Sequence, residues 1–179
     1  MPFTLAQPVH SDLVIRKSRF IGCVQAVADR HAALDVVAAL RTRHPAAAHV
    51  CWALLAGGQS AANDDGEPGG TAGRPMLEVL RRQDLEGVLA TVVRYFGGVK
   101  LGAGGLVRAY TDAVAQALLG ADKIALQKWM ALRCTVPYSL EGTVRRELQN
   151  AGAQQLEVTH GNAVEFSFRV GEAAAHALA

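Results

Sequence analysis

Two glycine-rich stretches hold the residue types best suited to chemistry in this 179-residue chain: Gln59 to Arg74, QSAANDDGEPGGTAGR, and Gly97 to Gly105, GGVKLGAGG. Glycine is needed where backbone turns through positive φ or approaches a ligand closely, so both stretches describe a surface built from main chain. The second opens a helix, whose first N–H groups lack partners and carry a partial positive charge. Gly104 and Gly105, leading into Leu106, therefore form a candidate anion seat. Arg108 then falls in the first helical turn, where an exposed cation is unfavourable by about 0.3–1 kcal/mol. It calls for an anionic partner: Asp64, Asp65 or Glu67 within the chain, or a phosphate outside it. With Arg94 and Lys100 close by in sequence, one polar surface made from both stretches is the expectation. An internal salt-bridge network that pins two loops would use the same residues.

Other chemistries fit less well. Neither stretch contains the G-x-x-x-x-G-K-[ST] phosphate loop, and Val107 stands where a dinucleotide fingerprint needs its last glycine. GAGGL loosely resembles the phosphate loop of small-molecule kinases without their serine pair. Asp64, Asp65 and Glu67 could bind magnesium through a few carboxylate oxygens, although acidic turns are commonly just solvated. His49 and Cys51 sit at alternate positions of a strand and point the same way, with His44 near in sequence. A third and fourth metal ligand are not evident, so a core or rim role is expected and no metal is assigned. No nucleophile–base constellation can be assigned from spacing, because triads assemble in space. Arg16, Lys17 and Arg19 around Ser18 and Phe20 would suit phosphate contacts beside a stacking face, or simply a solvated strand.

The elements that must position these residues follow from periodicity. Leu13 to Val27 reads as two short strands around a basic centre. Asp29 caps a helix from His31 to His44 that Pro45 closes. Val50 to Ala56 is a compact apolar strand, and all of Gln59 to Arg74 reads as a long loop. Pro75 starts a short helix to about Gln83. Val88 to Phe96, VLATVVRYF, is the most deeply buried strand, and Leu106 to Leu119 is the strongest helix, stopped by Gly120. Ala121 to Lys128 is a candidate linker. After it come an extended segment from Ala131, a helix over Leu140 to Gly152, extended segments at Gln154–His160 and Ala163–Val170, and the opening of a helix from Gly171 to Ala179. The fold class is α+β, with domains expected over 1–124 and 125–179.

Composition narrows the classes further. The hydrophobic fraction is 50% and charged residues make up 19%, an alanine-rich soluble composition that excludes disorder throughout. No apolar run is long enough to span a bilayer, and the N-terminus lacks a secretory leader pattern, so a cytoplasmic location is expected. Three cysteines, widely spaced, argue against a disulfide framework or a zinc clip. A formal net charge of +2 does not by itself announce a nucleic-acid binder, so anion affinity must come from local clustering.

SRFIG at Ser18 to Gly22, DDGEPGGTAG at Asp64 to Gly73, and above all RYFGGVKLGAGGLVRAY at Arg94 to Tyr110 closely resemble the signature of the IMPACT/YigZ family, strongly over about residues 12 to 120. The resemblance implies an N-terminal two-layer α/β sandwich like the second domain of a small-subunit ribosomal protein. It also implies a smaller C-terminal ferredoxin-like domain; against a complete βαββαβ unit the segments from Ala131 onward leave the last strand unmatched, as expected of a chain that is cut short or of an end that differs. Eukaryotic members carry an extra N-terminal RWD domain, for which the motif's start near Met1 leaves no room. The implied role is a non-enzymatic, translation-associated regulator without a cofactor, binding RNA or the ribosome. Its site would comprise Gly70, Thr71, Gly73, Arg94, Tyr95, Gly97, Gly98, Lys100, Gly102, Gly104, Gly105 and Arg108, with Asp64, Asp65, Gly66 and Glu67 as an acidic loop. Two alternatives stand beside it: a magnesium-dependent enzyme or binding protein for a phosphorylated small molecule, and a module for a regulatory protein partner. Gly69 replaces a usual serine, Ala103 a frequent threonine, and Ala61-Ala62-Asn63 a more typical lead-in, which removes hydroxyls that could touch a ligand.

Overall fold

The computed structural model describes residues 2–178, a mixed α/β chain that divides into two compact units, Met1–Leu126 and Gln127–Ala179. In the first unit a five-stranded antiparallel sheet runs in the order β2 (Val9–Ile15), β3 (Ser18–Ala26), β6 (Val88–Tyr95), β4 (His49–Ala56), β5 (Gln59–Asn63). β6 occupies the centre because its residues are apolar on both faces, as VLATVVRY requires. Its alternation sends Val88, Ala90, Val92 and Arg94 to one side and Leu89, Val93 and Tyr95 to the other.

Helices α2 (Gly73–Arg82) and α3 (Gly102–Leu118) cover the first side, packing Met76, Leu80, Leu106, Tyr110 and Val114 against Phe20, Val24 and Val92. Each such fully buried side chain contributes about 1.5–3 kcal/mol of transfer free energy. Helix α1 (Arg30–Arg43) covers the opposite side through Ala33 and Val37 against Val50, Trp52 and Leu54. Helices thus lie on both faces, which corrects the expected two-layer sandwich. The reason is visible in β4, whose HVCWALLA run is buried almost throughout and needs cover on each side. Asp29 accepts from Ala32 N at 2.9 Å and caps α1, as its position suggested.

Three sequence boundaries shift. Gln59 to Arg74 is not one loop: Gln59–Asn63 forms the polar edge strand β5, and Gly73 already belongs to α2, leaving Asp64 to Ala72 as the connecting loop. α3 begins at Gly102 rather than Leu106. Within the expected linker, Lys123–Ala125 forms β7, which pairs antiparallel with β1 (Phe3–Leu5).

The second unit places β8 (Trp129–Val136), α4 (Glu141–Asn150), β9 (Gln154–His160), β10 (Val164–Gly171) and α5 (Glu172–Leu178) in order, with an antiparallel sheet β8-β10-β9. Val164, Phe166, Phe168 and Val170 face Leu148 of α4 and Ala175 of α5. Ala179, the last residue of the helix expected here, lies outside the described residues. No helix is long and apolar enough to cross a membrane among those described.

Candidate functional site

The two glycine-rich stretches meet at one end of the first unit's sheet, through a buried carboxylate. Glu67 Oε1 accepts from Arg94 Nη1 at 2.6 Å and from the Tyr110 hydroxyl at 2.6 Å. Arg94 Nη2 donates to Ser18 Oγ at 3.3 Å, and the same oxygen accepts from Gly97 N at 3.1 Å. Glu67 is 7% exposed and Arg94 4%, so a loop, β3, β6 and α3 are tied together by charge-assisted bonds out of water, where such bonds are strongest. The Arg94 guanidinium also lies over the rings of Phe20 and Phe96, at 5.4 and 5.5 Å from their centroids. Its Nε is buried with no hydrogen-bond partner among the described residues.

Behind Glu67 the network continues into the core. The Tyr110 ring meets Phe20 edge-on at 5.3 Å, and burial, with the Cys51 and Glu67 groups beside its hydroxyl, drives its pKa far upward. The Cys51 thiol donates to the Asp64 carbonyl at 3.1 Å and is pushed up to about 12, first by burial. Both groups are neutral across the physiological range. Cys51 is therefore a core residue, while His49 sits at the rim: its Nδ1 donates to the Asp65 carbonyl at 2.7 Å, and its Nε2 faces Glu67 Oε1 at 3.7 Å.

The acidic loop does not gather its carboxylates. Asp64 turns onto the start of α2, accepting from Gly70 N at 2.8 Å, Ala72 N at 3.1 Å and Gly73 N at 2.8 Å. Burial pulls its pKa up, the three backbone bonds together pull it down further, and it settles below the usual carboxylate range. Asp65 instead accepts from Val50 N at 2.7 Å and pairs with Arg41 at 3.0 Å. Thr71 donates its hydroxyl to the Pro68 carbonyl at 2.6 Å. With the three acidic side chains aimed at different partners, no group of three metal-ligating side chains forms among the described residues.

The start of α3 is different. No side chain caps it, and Gly102, Ala103 and Gly104 are exposed there. It borders an open cleft of about 460 Å³ lined by His49, Glu67, Arg94, Phe96, Lys100 and Leu106, among others. The β2–β3 turn stands beside it. Arg16 and Lys17 both take left-handed backbone, at φ 45° and 67°, the pair a tight type I′ hairpin demands, and Lys17 packs so closely on Gly97 that a Cβ there would lie 2.1 Å from Lys17 backbone. Arg16, Lys17, Lys100 and Arg108 are exposed and have no side-chain hydrogen bond or ion pair among the described residues.

The expected site residues therefore divide. Arg94, Gly97, Lys100 and Gly102 gather at this end of the sheet, with Gly98, Gly104 and Gly105 in the adjoining turn and helix start. Gly70, Thr71 and Gly73 build the closed start of α2. Tyr95 is not at the site, since it faces α1 and its hydroxyl meets His44 Nδ1 at 2.7 Å. Arg108 lies in the second turn of α3 rather than the first, so the dipole penalty that asked for a partner is weaker, and the anion it was expected to need belongs to Arg94. Sequence reasoning missed Ser18 and Tyr110 as members of the network and left His49 outside the site; it offered Arg16 and Lys17 for phosphate contacts, but as part of a strand and apart from the glycine-rich stretches. The left-handed turn was the detectable signal, since a two-residue strand connection is short enough to force it.

Known proteins place this arrangement. Residues 16–118 match the family model described as the Impact N-terminal domain, and residues 134–179 match a domain of unknown function, DUF1949. The chain is 37% identical over 173 residues to the IMPACT family member YvyE of Bacillus subtilis (strain 168), covering 95% of this chain and 80% of that protein. It is 46% identical over 118 residues to the IMPACT family member YigZ of Escherichia coli (strain K12), covering 63% of this chain and 58% of that protein's length. A solved structure, described as that of a hypothetical protein, superposes with a TM-score of 0.70 at 32% identity, covering 98% of this chain and 87% of that one. The matched span contains every residue of the Glu67–Arg94 network and of the cleft beside it, and with it the chain belongs to the IMPACT family.

Proposed function

We propose that this protein is a non-enzymatic, translation-associated regulator that binds RNA, free or in the ribosome, through the rim formed by the start of α3, Lys100, Arg108 and the Arg16–Lys17 turn. One observation carries the reading: exposed Lys100 lines the cleft at the start of α3, which no side chain caps among the described residues, exposed Arg108 follows in the second turn, the exposed Arg16–Lys17 turn packs on Gly97, and none of these cations has a partner among the described residues. Phosphate oxygens satisfy such N–H groups and such cations together. Arg94 contributes from behind, holding Glu67 and Phe96 in place rather than touching the ligand. The acidic loop has a structural part in this reading, since Asp64 and Asp65 already have partners, which also weighs against a magnesium enzyme built on them. At the finer level of fold, we take the first unit as related to the second domain of a small-subunit ribosomal protein. The β8-β10-β9 order with α4 and α5 on one face supports a ferredoxin-like second unit.

The test is co-sedimentation with ribosomes and isolated subunits across a salt series, wild type beside Lys100→Glu and Arg108→Glu. Binding should weaken steeply with salt, and each charge reversal should make the slope of log K against log salt shallower by about 0.7 for every phosphate it leaves unneutralised. An unchanged slope in both variants, or no association even at low salt, overturns the reading.

A further inference from the structure

Resting on that reading, we infer that the cleft recognises an unpaired nucleobase, with Phe96 as the stacking surface, so that the protein's RNA ligand is single-stranded where it is held. Phe96 is 54% exposed although it follows directly on the most buried strand of the chain. A phenyl ring left in water at the mouth of a cleft loses the burial that would stabilise it, and a planar base laid on it restores that burial. The face turned inward is already occupied by the Arg94 guanidinium at 5.5 Å from the ring centroid. Arg94 is in turn held by Glu67 and Ser18, so the ring rests on a fixed support and its other side is the one left for a ligand. An aromatic held in place in this way loses little freedom on stacking.

The surroundings match the rest of a nucleotide. Lys100 and the exposed residues Gly102 and Ala103 at the start of α3 line the same cleft as Phe96, which offers phosphate contacts beside the ring. The roughly 460 Å³ of the cleft suits one base with its sugar and not a stacked pair of base pairs. A duplex keeps its bases inside and offers only phosphate to the cations, so it cannot use the ring. Stacking is tolerant of base identity, because every base has a π face, and little sequence preference follows.

The experiment uses the full chain and fluorescein-labelled octanucleotides: a uridine strand, a duplex of mixed sequence, and a strand of abasic residues with the same phosphates. The wild type should bind the uridine strand about tenfold more tightly than the abasic one, the gain expected from one stacked base, and more tightly than the duplex. Phe96→Leu, which keeps an apolar exposed side chain and should leave the fold intact, should erase the difference between uridine and abasic strands while abasic binding stays measurable at low salt. Phe96→Trp should restore it. If the wild type binds abasic and uridine strands alike, or if Phe96→Leu retains the difference, the base-stacking inference is overturned while phosphate binding through Lys100 stands. If the wild type binds none of the three at low salt, the RNA reading falls and takes the inference with it.

Discussion

The starts of α2 and α3 come from similar glycine-rich sequence and lie in the same unit, yet they are finished in opposite ways. Asp64 folds back onto α2 and places its carboxylate on the N–H groups of Gly70, Ala72 and Gly73, so the charge a bound anion would supply is already there. At the start of α3 no carboxylate caps the helix among the described residues, and exposed there are Lys100, Gly102 and Gly104. Unsatisfied helix N–H groups need a partner from the chain, from water or from a ligand. The contrast indicates that glycine richness alone does not mark a binding surface. What separates the two is whether a nearby carboxylate is long enough in reach and free of other cations. Glu67, the acidic residue that lies on the α3 cleft, is held at 2.6 Å by Arg94 and cannot serve.

The largest way to break this comparison is to remove Glu67. Glu67→Ala leaves Arg94 buried without its anion, and loss of one partner of a buried pair costs about 3–5 kcal/mol, read as a lower urea midpoint. Glu67→Gln keeps an acceptor for Tyr110 and should cost less. Equal midpoints for wild type and Glu67→Ala would mean that the network does not hold the two stretches together. Asp64→Asn tests the closed end, where an amide replaces a carboxylate that accepts three backbone N–H bonds. A loss of about 1–3 kcal/mol is expected at neutral pH. The sign with pH follows from the lowered pKa of Asp64: its contribution is complete above the pKa of an unfolded-chain aspartate and is lost as pH falls through the lower folded value. The gap between wild type and Asp64→Asn should therefore narrow on acidification below about pH 4. A gap that is constant from neutral pH into that range would refute the capping role.

Much of this architecture was legible because local patterns and burial agree. The apolar run at Val88 announced the central strand, and Asp29 with Pro45 bracketed α1 within one residue at each end. β5 was not legible, since QSAAN is an edge strand with mostly exposed side chains and owes its pairing to β4 rather than to its own pattern. The start of α3 was misplaced because three glycines among its first residues suppress helix expectation. Packing of Leu101 and Leu106 into the core extends the helix through them. For the site, the sequence narrowed the relevant anions to Asp64, Asp65 and Glu67 and the relevant cations to Arg94, Lys100 and Arg108, but it could not say which pairs with which. Glu67 and Arg94 are 27 residues apart, and Glu67 and Tyr110 are 43 apart, and only the crossing of α3 over the sheet joins them.

The smallest expected effect sharpens the comparison most, because it should move stability and binding in opposite directions. Gly104 lies in the first turn of α3 with nothing within 4 Å of an added Cβ, and its φ is not positive. Alanine there should fit without strain and stabilise the fold by about 0.5–1 kcal/mol, since glycine within a helix costs that much in backbone freedom. If a phosphate approaches the open N–H groups as proposed, the same methyl stands in its path, and RNA affinity should fall by severalfold while the melting temperature rises. At Gly70 the analogous exchange is different in kind: the residue has φ +79°, and its N–H is already taken by Asp64. Gly70→Ala should therefore lower stability and leave RNA affinity unchanged at temperatures where the variant stays folded. A Gly104→Ala protein that is more stable and binds as well as wild type would show that the start of α3, though open, is not where the ligand sits.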